Sequence, residues 1–163
     1  MRKPFVLAYS ALGVLAGTIV AIGALALTAT ARAGESPSAF AVHVVELIAA
    51  NRYDDAWNDL HPLHQRVAPR GDYVGCESQS PIPGRLASIR VLRTYDDPAA
   101  LGDGTFVAGK AVVVRITLAE ASERVVVTDT VHTVRVGKRW AWVLPTWRLQ
   151  EYRAGLCPDG IVA

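Results

Sequence analysis

Charge is absent from the first part of this 163-residue chain: no Asp, Glu, Lys or Arg lies between Phe5 and Thr30. That run, about two dozen residues of mostly Leu, Ala, Val, Ile and Gly, is long enough to cross a bilayer. It is apolar all round rather than on one face, which argues against a buried helix of the globular domain. Cysteine is scarce too. Cys76 and Cys157 are the only two. Neither lies near the end of the apolar run, which excludes a lipoprotein, and two thiolates alone do not make a zinc site. The chain has no glycine-rich phosphate loop, no nucleophile elbow and no carboxylates at paired catalytic spacing. Internal repeats and low-complexity segments are missing as well, and no motif implies a cofactor or a metal.

Arg2 and Lys3 stand ahead of the apolar run, the positive flank expected of a segment held on the cytoplasmic side. Ala31-Arg32-Ala33 followed by Gly34 is a small-x-small cleavage site just past it. Two outcomes stay open: residues 1–33 are a cleaved signal peptide, or they are a retained single-pass anchor that keeps the chain on the membrane. Either way residues 34–163 are an exported domain, extracellular or in the cell envelope. Arg2, Lys3 and Arg32 are three of the 17 basic side chains, so residues 34–163 carry 14 against 15 acidic ones. The formal charge of +2 therefore becomes −1 in the domain. A near-neutral domain with scattered charges lacks the electrostatic footprint of a nucleic-acid binder. In an oxidising compartment Cys76 and Cys157 are expected to pair. Closing a loop of about 80 residues contributes roughly 4 to 5 kcal/mol in the chain-entropy picture.

Within the domain the hydrophobic period changes once. Ser36-Pro37 opens a first helix, serine capping and proline fitting the first helical position, with Phe40, Val44, Leu47 and Ile48 on its apolar stripe and Asn51 at its end. Asp54 is placed to cap a second helix, with Ala56, Trp57 and Leu60 facing inward. Pro62 breaks that helix or starts a third that turns Leu63 and Val67 inward. Residues 70–80 read as one or two turns ending in loop. Past Gly84 the period becomes 2. Strands are expected over 86–95, 105–118, 124–136 and 139–144, with Ala87, Ile89 and Val91 on one face of the first and a Gly137-Lys138 hairpin before the last. A helical turn carrying Trp147, Leu149 and Tyr152 then packs on the sheet. Helices followed by a meander of long strands make an α+β domain: N-terminal helices packed on a curved, four-stranded antiparallel sheet, cone-like, preceded by the export segment.

The stretch NRYDDAWNDLHPLHQ before the sheet and GKRWAWVL at its end resemble the nuclear transport factor 2-like family of α+β cones. The resemblance covers roughly residues 36–153. It implies a bent sheet wrapped round a helix with a cavity at the open end. Some family members are isomerases, dehydratases or cyclases, and many are non-catalytic binding or assembly domains, including exported ones tethered to the envelope.

Candidate chemistry is sparse. Asp129 shares a strand face with Val125, Val127 and Val131, so an inward valine face would put a carboxylate among apolar groups, where its pKa rises and it suits a general base. The plainer role for Asp129 is an ion pair with a neighbouring arginine such as Arg115. Tyr53, Tyr73 and Tyr95 are possible hydroxyl partners. Tyr53, Trp57, Tyr95 and Trp142 are candidates to line a ligand pocket, although Trp140 and Trp142, on one face of the last strand, also suit a core. His61 and His64 lie three apart, but Pro62 between them and the lack of further ligands make a polar helix end the better reading than a metal site. The sequence therefore points to a non-catalytic extracytoplasmic domain that binds a small apolar ligand or an envelope protein. The alternative is a cavity enzyme of isomerase or dehydratase type using Asp129. Pairing of two copies through the sheet is a third expectation.

Overall fold

The computed structural model describes residues 35–121 and 123–158, all within one compact unit that spans 31–163. The apolar run and the cleavage site after Ala33 lie outside the described residues. Among the described residues, no helix is long and apolar enough to cross a membrane.

The domain is α+β, with the helices ahead of the sheet and one behind it. The order is α1 (Pro37–Ala49), α2 (Tyr53–Asn58), α3 (Pro62–Val67), α4 (Arg70–Gln79), β1 (Arg85–Asp96), β2 (Ala99–Ala100), β3 (Phe106–Val107), β4 (Gly109–Glu120), β5 (Glu123–Val136), β6 (Arg139–Val143) and α5 (Thr146–Arg153). Strands β1, β4, β5 and β6 form one antiparallel sheet in that order, and β2 and β3 form a separate two-stranded ribbon.

α1 begins as its sequence dictates. The Ser36 hydroxyl accepts from the amide of Ala39, Pro37 occupies the first turn, and Asn51 leaves the helix at φ 57°. α2 departs from expectation. Arg52, not Asp54, sits at its N-cap, without a side-chain hydrogen bond. Asp54 instead accepts from Arg70 Nε at 2.7 Å and so ties the start of α2 to α4. That bond, together with the neighbouring guanidinium, holds the Asp54 carboxyl below its usual range. Pro62 starts α3, and residues 70–79 make a full helix rather than a turn or two.

The strand that precedes the ribbon is bulged at Leu86/Ser88 and again at Val91/Arg93. Each bulge adds a residue to one side and shifts the alternation. Leu86, Ile89 and Val91 consequently face the core, and Ala87 is exposed, contrary to the expected alternation. The expected second strand also divides. Phe106 and Val107 pair with Ala100 and Ala99, and the long strand starts only at Gly109. In the ribbon loop Gly102 has φ 81°, and a Cβ there would run into the Leu149 side chain, so only glycine lets this loop close on α5. The hairpin at Gly137, φ 62°, pairs Val136 with Arg139 as expected.

Register sorts the side chains into two faces. On β4 the even positions Val112, Val114, Ile116 and Leu118 enter the main core, joined by Val131 and Trp142 and covered by Phe40, Val44, Leu47 and Tyr73 from the helices. A smaller cluster, Ala99, Leu101, Val134, Ala141 and Val143, lies where the ribbon covers one end of the outer face. Beyond the ribbon that face is open. Charge is not scattered there: Arg85, Arg90, Arg93, Arg115 and Arg124 all project from it and all are exposed. Arg115 pairs across the sheet with Thr128 on this outer face, while Asp129 pairs with Val114 on the core face, so the two do not meet as an ion pair.

Candidate ligand groove

The aromatic residues singled out in the sequence act chiefly as struts. Trp142 is fully buried and donates its indole N–H to the Ala56 carbonyl at 2.7 Å. Its backbone also bonds to residues 59 and 61, covering the edge of β6. Trp57 donates to the Ala68 carbonyl at 2.8 Å. Tyr53 is buried and donates to Asn51 Oδ1 at 2.7 Å. Burial and the nearby Glu77 carboxylate raise the pKa of that phenol. Tyr95 stands apart, 40 % exposed, with the Arg93 guanidinium over its ring. These four residues do not converge on one site, and none of them lines either groove described below.

His61 and His64 are not poised for a metal. His61 caps α3, its Nδ1 accepting from the Leu63 amide, and His64 Nδ1 accepts from the Leu144 amide at 2.9 Å. His64 is fully buried, and burial pushes its pKa down to about 4. Among the described residues, no three His, Cys, Asp or Glu side chains come together as a metal site.

Two features escaped the sequence. The first is a buried polar cluster: Arg148 Nη2 donates to Glu77 Oε1, and the Tyr152 hydroxyl donates to the same oxygen at 2.8 Å. Burial and the Glu77 charge raise the phenol pKa of both Tyr73 and Tyr152. Cys76, next to Glu77 on α4, forms a disulfide with Cys157 beyond α5, so a covalent and an ionic link join the same two segments. Arg148 and Glu77 lie 71 positions apart, and no local pattern connects them. A groove of about 400 Å³ runs beside the disulfide, bordered by Gly71 and Gly75 of α4 and by Leu156.

The second feature is a groove of about 460 Å³ between the ribbon, the open edge of β5 and the β6–α5 connection. It exists because β6 is short. β5 pairs with β6 only from His132 to Val136, so the chain leaves the sheet at Leu144 and opens the edge of β5 beyond it. The ribbon contributes 98–100 and Phe106, the connection contributes 143–147, and β5 contributes Asp129, Thr130 and His132. Phe106 is 69 % exposed and Trp147 45 % exposed, two aromatic side chains brought to the groove by separate segments. His132 Nε2 lies 2.9 Å from Asp97 Oδ2, which fixes the imidazole against the base of the ribbon. Asp129 and His132 thus border one cleft, a juxtaposition that strand spacing alone does not show. Trp147 is the only tryptophan at this groove, and its exposure, not its spacing, marks it.

Comparison with protein-family models, with curated proteins and with solved structures finds no match for this chain.

Proposed function

We propose that residues 34–163 are a non-catalytic extracytoplasmic domain, of the nuclear transport factor 2-like cone type, that holds a small and largely apolar molecule in the groove under the ribbon. The observation that carries this reading is the pair of exposed aromatics, Phe106 and Trp147, which line a cleft of about 460 Å³ from two separate segments. A cleft of that size falls in the range that takes a small organic ligand. Exposed aromatic rings at its rim offer apolar area that costs little conformational entropy to order. Thr130, Thr146 and His132 supply a few polar contacts for one end of the molecule. The Cys76–Cys157 disulfide supports an oxidising compartment, and so does the apolar, positively flanked segment ahead of the domain.

The test is titration of the domain with N-phenyl-1-naphthylamine, a neutral apolar fluorophore. Saturable binding is expected, weakened at least about tenfold in a Phe106→Ser/Trp147→Ser double variant, since each ring removes apolar contact area. Both residues are exposed, so the variant should fold. Unchanged affinity in the double variant would sink the assignment.

A second reading, an isomerase- or dehydratase-type enzyme using Asp129 as general base, is favoured by the presence of Asp129 and His132 at one cleft. Small molecules extracted from the purified domain distinguish the two. A single unaltered compound supports binding. A substrate and product pair, with turnover lost in Asp129→Asn, supports catalysis.

A further inference from the structure

The five outer-face arginines fall in three of four successive cross-strand rows. Arg85 and Arg124 flank Ala119, Arg90 pairs with Arg115, and Arg93 pairs with Val113. The rows between and beside them hold Ser88, Thr117, Val126, Thr128 and Thr130, and no carboxylate. Glu120 and Glu123 pair with each other in the row that continues the core face, so they do not neutralise this one. None of the five arginines makes an ion pair with a described residue, whereas Arg52, Arg70 and Arg148 do. More than a third of the domain's 14 basic side chains thus stand on one side of a sheet in a domain of net charge −1. The patch spans roughly 25 Å along β1 and about 10 Å across three strands. Every cation in it is arginine, whose planar fork matches phosphate oxygens in pairs.

We propose that this arginine face docks on the anionic headgroups of a membrane. Charge complementarity calls for a polyanion, and the apolar groups in the patch select which one. Val126, 58 % exposed, sits in the row between Arg124 and Thr128, and Leu92, 42 % exposed, is the bulge residue beside Arg93. Aliphatic side chains among arginines suit the headgroup boundary, where they gain apolar contact. A single-stranded nucleic acid instead needs aromatic platforms for its bases. The aromatic ring on this face, Tyr95, is already covered by Arg93 at 5.0 Å. The choice of a membrane rests in part on the reading of residues 1–33 as an export segment.

The experiment uses the domain from Gly34 onward, which closes its own core and disulfide. It therefore does not depend on how the leader is processed. Sedimentation with phosphatidylglycerol vesicles should carry the domain down at low salt and release it at high salt. Phosphatidylcholine vesicles should not carry it. Each arginine near an anionic surface contributes about fivefold to binding. Arg90→Ser/Arg115→Ser should therefore weaken it roughly 25-fold, while Lys138→Ser, on the hairpin away from the patch, leaves it unchanged. All of these side chains are exposed, so circular dichroism should report unaltered folding. Equal binding to both vesicle types, no binding, an unaffected arginine variant, or preference for a single-stranded oligonucleotide over vesicles would each overturn the proposal.

Discussion

His64 is a polar side chain placed where water does not reach, and its chemistry follows from that. Nδ1 accepts from the Leu144 amide, so the neutral ring carries its proton on Nε2, which faces the backbone of Ala100 and Leu101 without a hydrogen bond of normal geometry. Protonation would turn the Nδ1 acceptor into a second donor aimed at an N–H. Burial is the largest cause of the lowered pKa, and the nearby His61 adds to it. A histidine whose folded pKa lies below its unfolded value binds its proton more readily in the unfolded chain. Its contribution is intact above about pH 6.5 and declines as pH falls towards about 4. The lowering from 6.5 to about 4 corresponds to a loss of about 3 kcal/mol across that window. Urea unfolding at pH 7 and at pH 4 should show it. His64→Asn, which keeps an acceptor for the Leu144 amide but does not titrate, should flatten the difference. An equal loss in that variant would assign the pH dependence elsewhere.

At the scale of elements, α4 and α5 show how a segment with a weak pattern is made rigid. Neither has a strong apolar stripe. α4 buries only Tyr73 and Glu77, and α5 buries Arg148, Leu149 and Tyr152. Their junction relies on the Glu77–Arg148 ion pair, the Tyr152 hydrogen bond and the Cys76–Cys157 bridge. The bridge closes a loop of 81 positions, for which the chain-entropy picture gives about 4.5 kcal/mol. Cys76→Ser/Cys157→Ser should therefore lower unfolding stability by up to that amount, read from denaturant midpoints. It should also raise hydrogen exchange in α4 and α5 before the sheet. A stability unchanged within about 1 kcal/mol would mean the buried ion pair alone holds the junction.

α1 was readable in the sequence because its cap, its proline and its apolar stripe are all local. The four strands of the main sheet were readable because β-branched runs punctuated by glycine and proline carry their own period. α4 was not, since its core contacts are a tyrosine and a glutamate rather than an aliphatic stripe. The bulges in β1 were not readable either, because a bulge is set by pairing with β4. One strand of the short ribbon, β3, was hidden inside what read as one long strand and the other, β2, in the turn before it, and with them went the groove, whose walls come from three separate segments. Asp129 was singled out on its own strand, but the companion it has at the groove, His132, appeared only in the folded chain.

For the whole molecule, the composition separates an uncharged apolar run from the described domain, and whether that run is cut away can be measured directly. Purification of the expressed full-length protein followed by mass spectrometry of its N-terminus gives the answer. Gly34 as the first residue means release, and an intact start at Met1 or Arg2 means a chain that keeps its apolar run. By itself the sequence determined the uncharged apolar run ahead of Thr30, the order of helices before strands and the scarcity of catalytic motifs. Each of these is written in hydrophobic period, charge count or residue type along the chain. Only the tertiary structure decided that charges spread along β1, β4 and β5 converge on one face, that Glu77 meets Arg148, and that Phe106 and Trp147 line one cleft. The reason is physical. Register between strands and packing between distant segments depend on pairings that no single stretch of sequence contains, and the function of this domain rests on those pairings.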